Sequence, residues 1–292
     1  MFHDFDYIKP NSVKEVLTLL AELGERCRLL AGGTVLLVDM RDGHLSPEAL
    51  LDIGDLPALR FIRVDRGMVR IGPATTLAEI AESSLLPMEV SFLAKAAASV
   101  GGPQIRSRAT IGGNLAYASP GADMAPPLLA LGATLRLTSE RGHREVSVDE
   151  FFAGPRSTVC GSDEIVTEIS FPYRASGRGA FIKLGLRNAM AISLASVGVW
   201  IEMDPSKGIV EEARIALGAV APTPIRAKAA EELLRGERAS VRLIERAAEL
   251  AREYVRPRPS SIRSSGEYRR IVTGVLIRRA LEKCLDTGDL IA

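Results

Sequence analysis

The first hundred residues alternate between helical and strand-like spacing of their apolar side chains. Apolar residues at three- and four-residue intervals predict a helix over residues 12–23, with Ser12 as its N-cap. The apolar run 27–30 predicts a strand that leads into a glycine turn, after which Thr34 is placed to cap a helix that ends near Gly43. Further elements are predicted as strands at 50–53, 59–64 and 68–71, a capped helix after Thr76, and an apolar helix over 88–100. This alternation is typical of an α/β domain.

Residues 101–127 break this pattern, because glycine, proline and small polar residues replace the apolar periodicity. We expect a functional loop inside the first domain rather than a linker, since an apolar element resumes at once over 128–131. Beyond it, the pattern predicts a hairpin across Arg141-Gly142 and another strand over 164–171.

The second half of the chain groups its predicted strands before its predicted helices, which is typical of an α+β domain. Charge and glycine replace the apolar pattern at 173–179, so we place a domain boundary near residue 175. Three strands are predicted at 180–186, 193–203 and 210–220. Three helices are predicted at 225–234, 241–254 and 267–285, with an irregular connection over 256–265.

Charge and composition disfavour several classes of function. The 37 basic and 36 acidic residues leave a formal net charge of +1, so there is no general electrostatic reason to expect a nucleic-acid or anionic-membrane partner. The apolar segments are too short for a membrane-spanning helix, and no secretory signal is recognisable at the start. The 3 cysteines are far apart, which fits neither a disulfide framework nor a zinc or iron–sulfur site. We therefore expect a cytoplasmic, metal-free chain.

The common catalytic motifs are absent from the sequence. No G-x-G-x-x-G follows a predicted strand, and neither a P-loop nor the zinc-protease motif H-E-x-x-H is present. His3, His44 and His143 lie in polar or terminal settings without a serine or cysteine elbow nearby, so we expect them at the surface. No side chain is predicted to act as a catalytic acid, base or nucleophile.

Two glycine pairs carry the strongest chemical signal in the residues themselves, one in segment 32–34 and one in segment 110–114. Glycine lets several backbone N–H groups converge on phosphate oxygens, and a helix that starts after the turn adds a favourable dipole. Either pair alone is more often a plain turn. Two pairs with neighbouring hydroxyl and amide side chains suit a pyrophosphate that is held from two sides.

Two charged positions stay open between a structural and a functional role. Asp123 begins a helix-like apolar run, where it either interacts with the helix dipole or accepts a hydrogen bond from a cofactor hydroxyl. Lys183 alternates with apolar neighbours on a predicted strand and is either solvated or a cation beside a redox ring. The residues alone thus indicate an α/β plus α+β protein with a phosphate-bearing ligand.

Five ordered segments resemble the FAD-binding medium subunits of the molybdenum hydroxylases, the flavin subunits of carbon-monoxide dehydrogenase, nicotinate dehydrogenase and xanthine dehydrogenase. The segments are AGGTVLLVDMR at 31–41, VGGPQIRSRATIGGNLAYASPGADMAPPLLALGA at 100–133, FIKLGLR at 181–187, GAVAPTPIRA at 218–227 and EYRR at 267–270. The resemblance runs over essentially the whole chain, and the central TIGGN…SP…D block is its most specific part.

The resemblance implies an α+β fold class. Its first part is a vanillyl-alcohol-oxidase-type (PCMH-type) FAD-binding domain of two α/β subdomains. A smaller α+β C-terminal domain follows, with a three-stranded antiparallel sheet plus helices. On this chain, the FAD-binding domain is expected at 1–175, with subdomains at 1–56 and 57–175, and the C-terminal domain of the CO-dehydrogenase flavoprotein type at 176–292.

The resemblance also implies the residues that contact FAD. Two glycine loops are expected to hold the diphosphate and adjoining atoms, an aspartate and a lysine to make charged contacts, and one or both of two strand residues to make an apolar contact. The implied cofactor-binding residues are Leu29, Leu30, Ala31, Gly32, Gly33, Thr34, Val35, Leu36, Thr110, Ile111, Gly112, Gly113, Asn114, Asp123, Ile165, Val166 and Lys183.

Two departures from related flavoproteins change what is expected of the cofactors. No histidine falls in either glycine loop, so we expect noncovalent FAD, although some members of the superfamily attach the flavin through a histidine. The dispersed cysteines cannot by themselves supply the additional iron–sulfur cluster of the 4-hydroxybenzoyl-CoA reductase flavin subunit. The molybdenum cofactor and the [2Fe–2S] clusters are expected only on partner subunits.

The function implied by the resemblance is electron transfer inside a multi-subunit molybdenum hydroxylase. The implied partners are a large molybdenum-cofactor subunit and a small iron–sulfur subunit, assembled as a dimer of heterotrimers, with NAD, oxygen or a quinone as acceptor. Lys183 is then expected to stabilise negative charge on reduced flavin, so that Lys183→Met leaves FAD bound and lowers its potential.

Other functions stay open on the sequence alone. One is a noncatalytic assembly or binding subunit that keeps the fold without a redox-active flavin; intact glycine pairs favour the oxidoreductase instead. Another is a stand-alone flavin reductase, for which the sequence offers no clear acid or base. The sequence also leaves open whether Tyr117 stacks on the flavin, and whether Gln104, Arg106 and Arg108 support the second loop.

Overall fold

The computed structural model describes residues 4–204, 206–257 and 263–285. Near the N-terminus, a parallel sheet has the strand order β1-β3-β2. Its strands are β1 Asp6–Ile8, β2 Cys27–Leu30 and β3 Ala49–Asp52, and the helices between them are α1 Val13–Leu23 and α2 Leu36–Arg41. Ser12 caps α1 by accepting a hydrogen bond from the Glu15 amide at 3.2 Å, as its spacing predicts.

A five-stranded antiparallel sheet with the order β4-β5-β10-β6-β7 follows. Its strands are β4 Ile62–Asp65, β5 Met68–Ile71, β6 Thr134–Ser139, β7 Gly142–Ser147 and β10 Ile165–Pro172. A small hairpin pairs β8 Phe152–Gly154 with β9 Ser157–Thr158. The helices of this region are α3 Leu77–Glu82, α4 Ser91–Ala98, α5 Pro103–Arg106, α6 Ile111–Ala116, α7 Ala125–Ala130 and α8 Val148–Phe151.

The last part of the chain is a second antiparallel sheet packed on helices. The sheet has the order β11-β12-β13-β14, with β11 Gly177–Leu184, β12 Ala195–Asp204, β13 Ile209–Gly218 and β14 Ile225–Arg226. The helices are α9 Lys228–Leu234, α10 Val241–Arg252 and α11 Gly266–Leu285. Small and branched apolar residues of β12, β13 and the three helices form one buried cluster. The mixed architecture confirms the predicted α+β class.

The expected three-stranded C-terminal sheet is wrong, because the structure has a fourth strand there. Ile225 and Arg226 pair with Leu217 and Ala216 as strand β14, although the pattern assigned them to a helix over 225–234. That helix starts only at Lys228. A strand of two residues is too short for its own periodicity to reveal it. Residues 258–262 of the predicted irregular connection lie outside the described residues.

Two local predictions near the glycine segments are also wrong. Thr34 does not cap α2: the N-cap is Val35, and the chain turns through a left-handed φ of 72° at Gly33 before the helix begins. The segment 101–127 is not a continuous loop, since it contains α5, α6 and the start of α7. Helices of one or two turns are too short for a period of 3.6 residues to stand out from glycine and proline.

Trp200 joins the C-terminal sheet to the core of the preceding part of the chain. Although it lies on β12, it belongs to the buried cluster formed mainly by α3, α4, α7 and the five-stranded sheet. Its ring lies 6.3 Å from the ring of Phe92, in a stacked arrangement. A Cβ atom at Gly177 or Gly179 of β11 would come within 2.0 Å of Trp200 or 2.1 Å of Phe92, so both positions require glycine. The two parts therefore share a close-packed core.

We predict that Phe92→Ala loosens this shared core. Phe92 is 1% exposed, and truncating a buried phenylalanine costs about 3–5 kcal/mol of unfolding free energy. Urea denaturation followed by tryptophan emission measures the loss directly, because Trp200 is the single tryptophan of the chain and stacks on Phe92. Leu85→Ala, at a side chain that is 60% exposed, is the control and should change stability by less than about 0.5 kcal/mol. Equal effects of the two variants contradict the prediction.

Candidate functional site

The first glycine segment leaves strand β2 at the carboxyl edge of the parallel sheet, where ligands of open α/β sheets commonly bind. Residues 31–36 are half-buried, and Gly33 holds the left-handed φ of 72°. Among the described residues, none accepts a hydrogen bond from the amide N–H groups of residues 32–35, and the Thr34 hydroxyl likewise makes no hydrogen bond. A run of unpaired, half-buried N–H donors at a glycine turn is the arrangement that binds phosphate oxygens.

The second glycine segment differs, because most of its amides are already paired within the protein. Ile111 and Gly112 donate to the carbonyl oxygens of Thr75 at 3.0 Å and Pro73 at 2.9 Å. Gly113 donates to Oγ1 of Thr110 at 3.1 Å, which makes Thr110 the N-cap of α6. The amides of Ile111, Gly112, Gly113 and Asn114 are thus paired, whereas the Thr110 amide, like those of residues 32–35, donates to none of the described residues.

Steric contact explains the glycine at position 112. A Cβ atom on Gly112 would lie 2.5 Å from the ring of Pro73, so only glycine lets α6 pack this closely. Gly113 is exposed, and Asn114 is half-buried, with its Oδ1 accepting the Met124 amide at 3.3 Å. The Nδ2 group of Asn114 makes no hydrogen bond to any described residue, which leaves it free to donate to a ligand.

At Gly32, the first glycine segment meets the backbone immediately before the second one. A Cβ atom there would come within 2.0 Å of the Arg108 carbonyl oxygen and 2.9 Å of the Ala109 Cα atom. Arg106 supports the same region, because its guanidinium donates to the carbonyl oxygens of Val100 at 3.1 Å and Gly101 at 3.2 Å. Gln104 and Arg108 are exposed. The structure thus brings together two segments that are far apart in the sequence.

Asp123 and Lys183 form a buried ion pair. Nζ of Lys183 donates to Oδ2 of Asp123 at 2.6 Å and to the carbonyl oxygen of Ser99 at 3.0 Å. The Ser193 hydroxyl donates to the other carboxylate oxygen, Oδ1. The side chains of Asp123 and Lys183 are 6% and 11% exposed. Lys183 is therefore not solvated, and Asp123 does more than interact with the helix dipole, since each charged side chain has a buried partner.

Burial raises the pKa of the Asp123 carboxyl, while Lys183 and Ser193 act in the opposite direction. Placing a carboxylate in an apolar environment favours its protonated form, and a nearby cation or hydroxyl donor favours its charged form. The ionised state of Asp123 therefore depends on both of its partners.

The predicted apolar contacts lie on strand β10. Ile165 and Val166 are 2% and 6% exposed. Ile165 belongs to the hydrophobic cluster on which Leu29 and Ala31, just before the first glycine segment, pack, so it supports the chain that leads into that segment. Val166 belongs instead to the larger core that contains Trp200.

Tyr117 lies in a polar cluster with Asp39 and Arg156, three residues that the sequence analysis did not group together. The Arg156 guanidinium lies over its ring at 5.1 Å from the centroid. Burial, followed by the charge of Asp39, raises the pKa of the Tyr117 phenol, and Arg156 lowers it. Asp39 is 7% exposed on helix α2, immediately after the first glycine segment. The sequence signal that could have indicated this cluster is the position of Asp39, a charged residue in the mostly apolar helix α2.

No second chemical centre is evident in the described residues. They contain no group of three or more histidine, cysteine or acidic side chains able to hold a metal ion, and no helix long and apolar enough to cross a membrane. His44 and His143 are exposed, as expected, and His3 lies outside the described residues. Burial raises the pKa of the Cys160 thiol to about 11 and that of Cys284 to about 12, so both are protonated at neutral pH.

Two family models match consecutive parts of the chain. One is described as the FAD binding domain in molybdopterin dehydrogenase and matches residues 3–174. The other is described as the CO dehydrogenase flavoprotein C-terminal domain and matches residues 180–284.

Curated relatives and solved structures are similar over almost the whole chain. The carbon monoxide dehydrogenase medium chain of Hydrogenophaga pseudoflava is 34% identical over 278 residues, 95% of this chain and 96% of the relative. The xanthine dehydrogenase FAD-binding subunit of Escherichia coli O157:H7 is 33% identical over 288 residues, 98% of this chain and 97% of the relative. A solved structure of H. pseudoflava carbon monoxide dehydrogenase that lacks the Mo-pyranopterin moiety matches with a TM-score of 0.93 and 34% identity, covering 98% of this chain and 99% of that chain.

We predict that Gly32→Ala separates the two glycine segments. The added methyl group would overlap the Arg108 carbonyl, and relieving such an overlap typically costs about 1–3 kcal/mol of unfolding free energy. Urea denaturation measures the loss. Gly154→Ala is the matched control, since the nearest atom to its Cβ position is 4.0 Å away, and it should stay within about 0.5 kcal/mol of the unmodified chain. A Gly32→Ala variant as stable as this control contradicts the contact.

We predict that Lys183→Met destabilises the chain because it leaves Asp123 buried without a cation. Losing one partner of a buried pair costs about 3–5 kcal/mol. Since Asp123 then has an even higher pKa, the deficit should be largest at high pH and shrink as falling pH protonates the carboxyl. Denaturation of the FAD-free chain at several pH values measures this. The double variant Asp123→Asn/Lys183→Met should recover most of the stability; no recovery, or a deficit independent of pH, argues against the ion pair.

Proposed function

The chain belongs to the family of FAD-binding medium subunits of the molybdenum hydroxylases, and from this premise we propose that it is the electron-transfer subunit of a multi-subunit oxidoreductase. The family match confirms the resemblance seen in the sequence. In the proposed function, the chain binds FAD noncovalently and receives electrons from the [2Fe–2S] clusters of a partner subunit. An external acceptor, such as NAD, oxygen or a quinone, then takes the electrons.

The observation that carries the proposal is the row of unpaired amides at residues 32–35. A diphosphate carries negative charge and many acceptor oxygens, and it needs donors that are not already committed to the protein. A left-handed residue in a turn lets consecutive N–H groups converge, and Gly33 has this conformation. The free Thr34 hydroxyl adds another donor. These residues fit a dinucleotide diphosphate.

The second glycine segment has a different proposed role from the first. Because its amides other than that of Thr110 are paired, it contributes mainly through the free Nδ2 of Asn114 and through the rigid placement of Thr110 and α6. The close contact at Gly32 holds this platform beside the first segment. We therefore assign diphosphate binding chiefly to Gly32–Val35 and the shaping of the site chiefly to residues 110–114.

The remaining predicted contacts support the cofactor in two ways. Leu29, Leu30, Ala31 and Leu36 frame the first segment, with Ile165 packed in the same cluster as Leu29 and Ala31. Asp123 and Lys183 supply a fixed charge pair in a buried setting. FAD, when bound, supplies the redox chemistry, and the chain contributes binding, orientation and electrostatics. A paired Lys183 acts on the flavin as a dipole with Asp123 and not as an isolated positive charge.

The proposed assembly follows from the family. The relatives include carbon monoxide dehydrogenase medium chains, and we propose that this chain likewise joins a large molybdenum-cofactor subunit and a small iron–sulfur subunit, as a dimer of heterotrimers. We also propose the division into an FAD-binding domain at 1–175, with subdomains 1–56 and 57–175, and a C-terminal domain at 176–292, which the matched ranges 3–174 and 180–284 support. The free thiols of Cys27, Cys160 and Cys284 are compatible with the proposed cytoplasmic location.

We predict that the purified chain takes up one FAD and that Gly33→Ala weakens this binding about tenfold, equivalent to about 1.4 kcal/mol. Alanine is strained at a φ of 72°, and its Cβ would lie 3.1 Å from the Leu30 and Leu37 side chains, so we expect the backbone of this turn to move away from its left-handed conformation. Titration of FAD fluorescence against the chain measures the dissociation constant.

Gly43→Ala is the matched control for this prediction. Gly43 also has a left-handed φ, of 76°, but nothing lies within 4 Å of its Cβ position, and it is outside the glycine segment. The Gly43→Ala variant should lose about as much unfolding free energy as Gly33→Ala but keep the FAD affinity of the unmodified chain. The purified chain should also carry, or take up, a yellow flavin that dithionite bleaches. A colourless chain that cannot be reconstituted with FAD contradicts the proposed function and favours a noncatalytic assembly subunit.

A further inference from the structure

Ser193 is a buried hydroxyl residue at the base of an otherwise exposed segment. Residues 185–194 connect β11 to β12, and the side chains of Leu186, Met190 and Ile192 are 67%, 60% and 57% exposed. Ser193 is only 3% exposed, and the next residue, Leu194, closes the segment by donating from its amide to the Leu184 carbonyl at 2.8 Å. The backbone of β11 and β12 thus fixes where the Ser193 side chain lies.

The Ser193 hydroxyl completes the hydrogen bonding of the Asp123 carboxylate. It donates to Oδ1, while Oδ2 accepts from Lys183 at 2.6 Å. One oxygen therefore has a neutral donor and the other a cation. A buried carboxylate that lacks one of its donors shifts toward its protonated form, in which it attracts a neighbouring lysine less strongly.

The same carboxylate lies next to the second glycine segment. Asp123 is followed by Met124, whose amide donates to Oδ1 of Asn114 at 3.3 Å. Asn114 is the last residue of that segment and has a free Nδ2 donor. A displacement of Asp123 is therefore transmitted through one residue of backbone to the side chain of Asn114.

We infer that Ser193 is a positioning residue for the flavin site, whose hydroxyl holds Asp123 against Lys183 and so keeps Asn114 in place. Ser193 acts through Asp123, and its hydroxyl makes no hydrogen bond to a described residue of the glycine segments. The inference rests on the proposed function, because the site that Ser193 holds is the proposed FAD site.

Ser196 provides a matched control for the hydroxyl of Ser193. It is 1% exposed, three positions along the chain, and pairs across the sheet with Lys183. Its Oγ atom has no hydrogen-bond partner among the described residues. Removing the Ser196 hydroxyl therefore removes the same atom from the same neighbourhood without affecting Asp123.

The test compares Ser193→Ala, Ser193→Thr and Ser196→Ala in the full chain, with the FAD dissociation constant measured by flavin fluorescence as a function of pH. Ser193→Ala should weaken FAD binding about tenfold. It should also move the acid limb of the pH profile to higher pH, because Asp123 has lost a donor to its charged form. Ser193→Thr restores the hydroxyl and should return both values toward those of the unmodified chain. Ser196→Ala should leave both unchanged.

An unaltered affinity and pH profile in Ser193→Ala, or an equal loss in Ser196→Ala, overturns the inference. If the unmodified chain binds no FAD, the proposed function fails, and the hold on Asp123 is then tested by thermal unfolding of the FAD-free variants. Ser193→Ala alone should show a lower Tm, with the deficit present above the Asp123 pKa and shrinking as that carboxyl is protonated. Identical melting of the two alanine variants at all pH values also overturns the inference.

Discussion

The close approach of the backbone at Gly32 to the Arg108 carbonyl is the constraint on which the proposed cofactor site depends. Any side chain at position 32 would occupy the space of that carbonyl, so the parallel sheet and the platform of α5 and α6 can meet only at a glycine. The free amides of residues 32–35 thus lie near a segment in which the amides of residues 111–114 are satisfied within the protein. In the proposed site, the first segment therefore binds the polar ligand and the second shapes the space around it.

The two glycine pairs look alike in the sequence but serve different physical needs. Gly33 is required because its backbone is left-handed. Gly32 and Gly112 are required because a side chain would overlap Arg108 and Pro73, respectively. The conformation of Gly33 leaves donors free, and the packing of Gly112 places amides against protein acceptors. Motif matching alone cannot separate these cases, because spacing records the residue type and not the partner of its N–H group.

Features that depend on local interactions were predictable, and those that depend on long-range contacts were not. The Ser12 cap, the capping box of Thr76 and Glu79, and the hairpin of β6 and β7 each arise from residues close in the sequence. The resemblance singled out Asp123 and Lys183 individually, but nothing in their surroundings indicated that they pair across 60 residues. Ser193 was missed because its role depends on Asp123, which is 70 residues away.

Because Trp200 of the C-terminal sheet is part of the core of the preceding region, the chain cannot be cut between the two parts without damaging that core. Its indole fills space beside Phe92, and strand β11 packs closely against both rings at Gly177 and Gly179. A truncated product that stopped after β10 would leave an aromatic-sized hole open to water and uncover the apolar faces of α4 and α7. We therefore expect that the amino-terminal part does not fold well by itself. A chimera between homologous proteins should keep this part together with the β12 strand that contains Trp200.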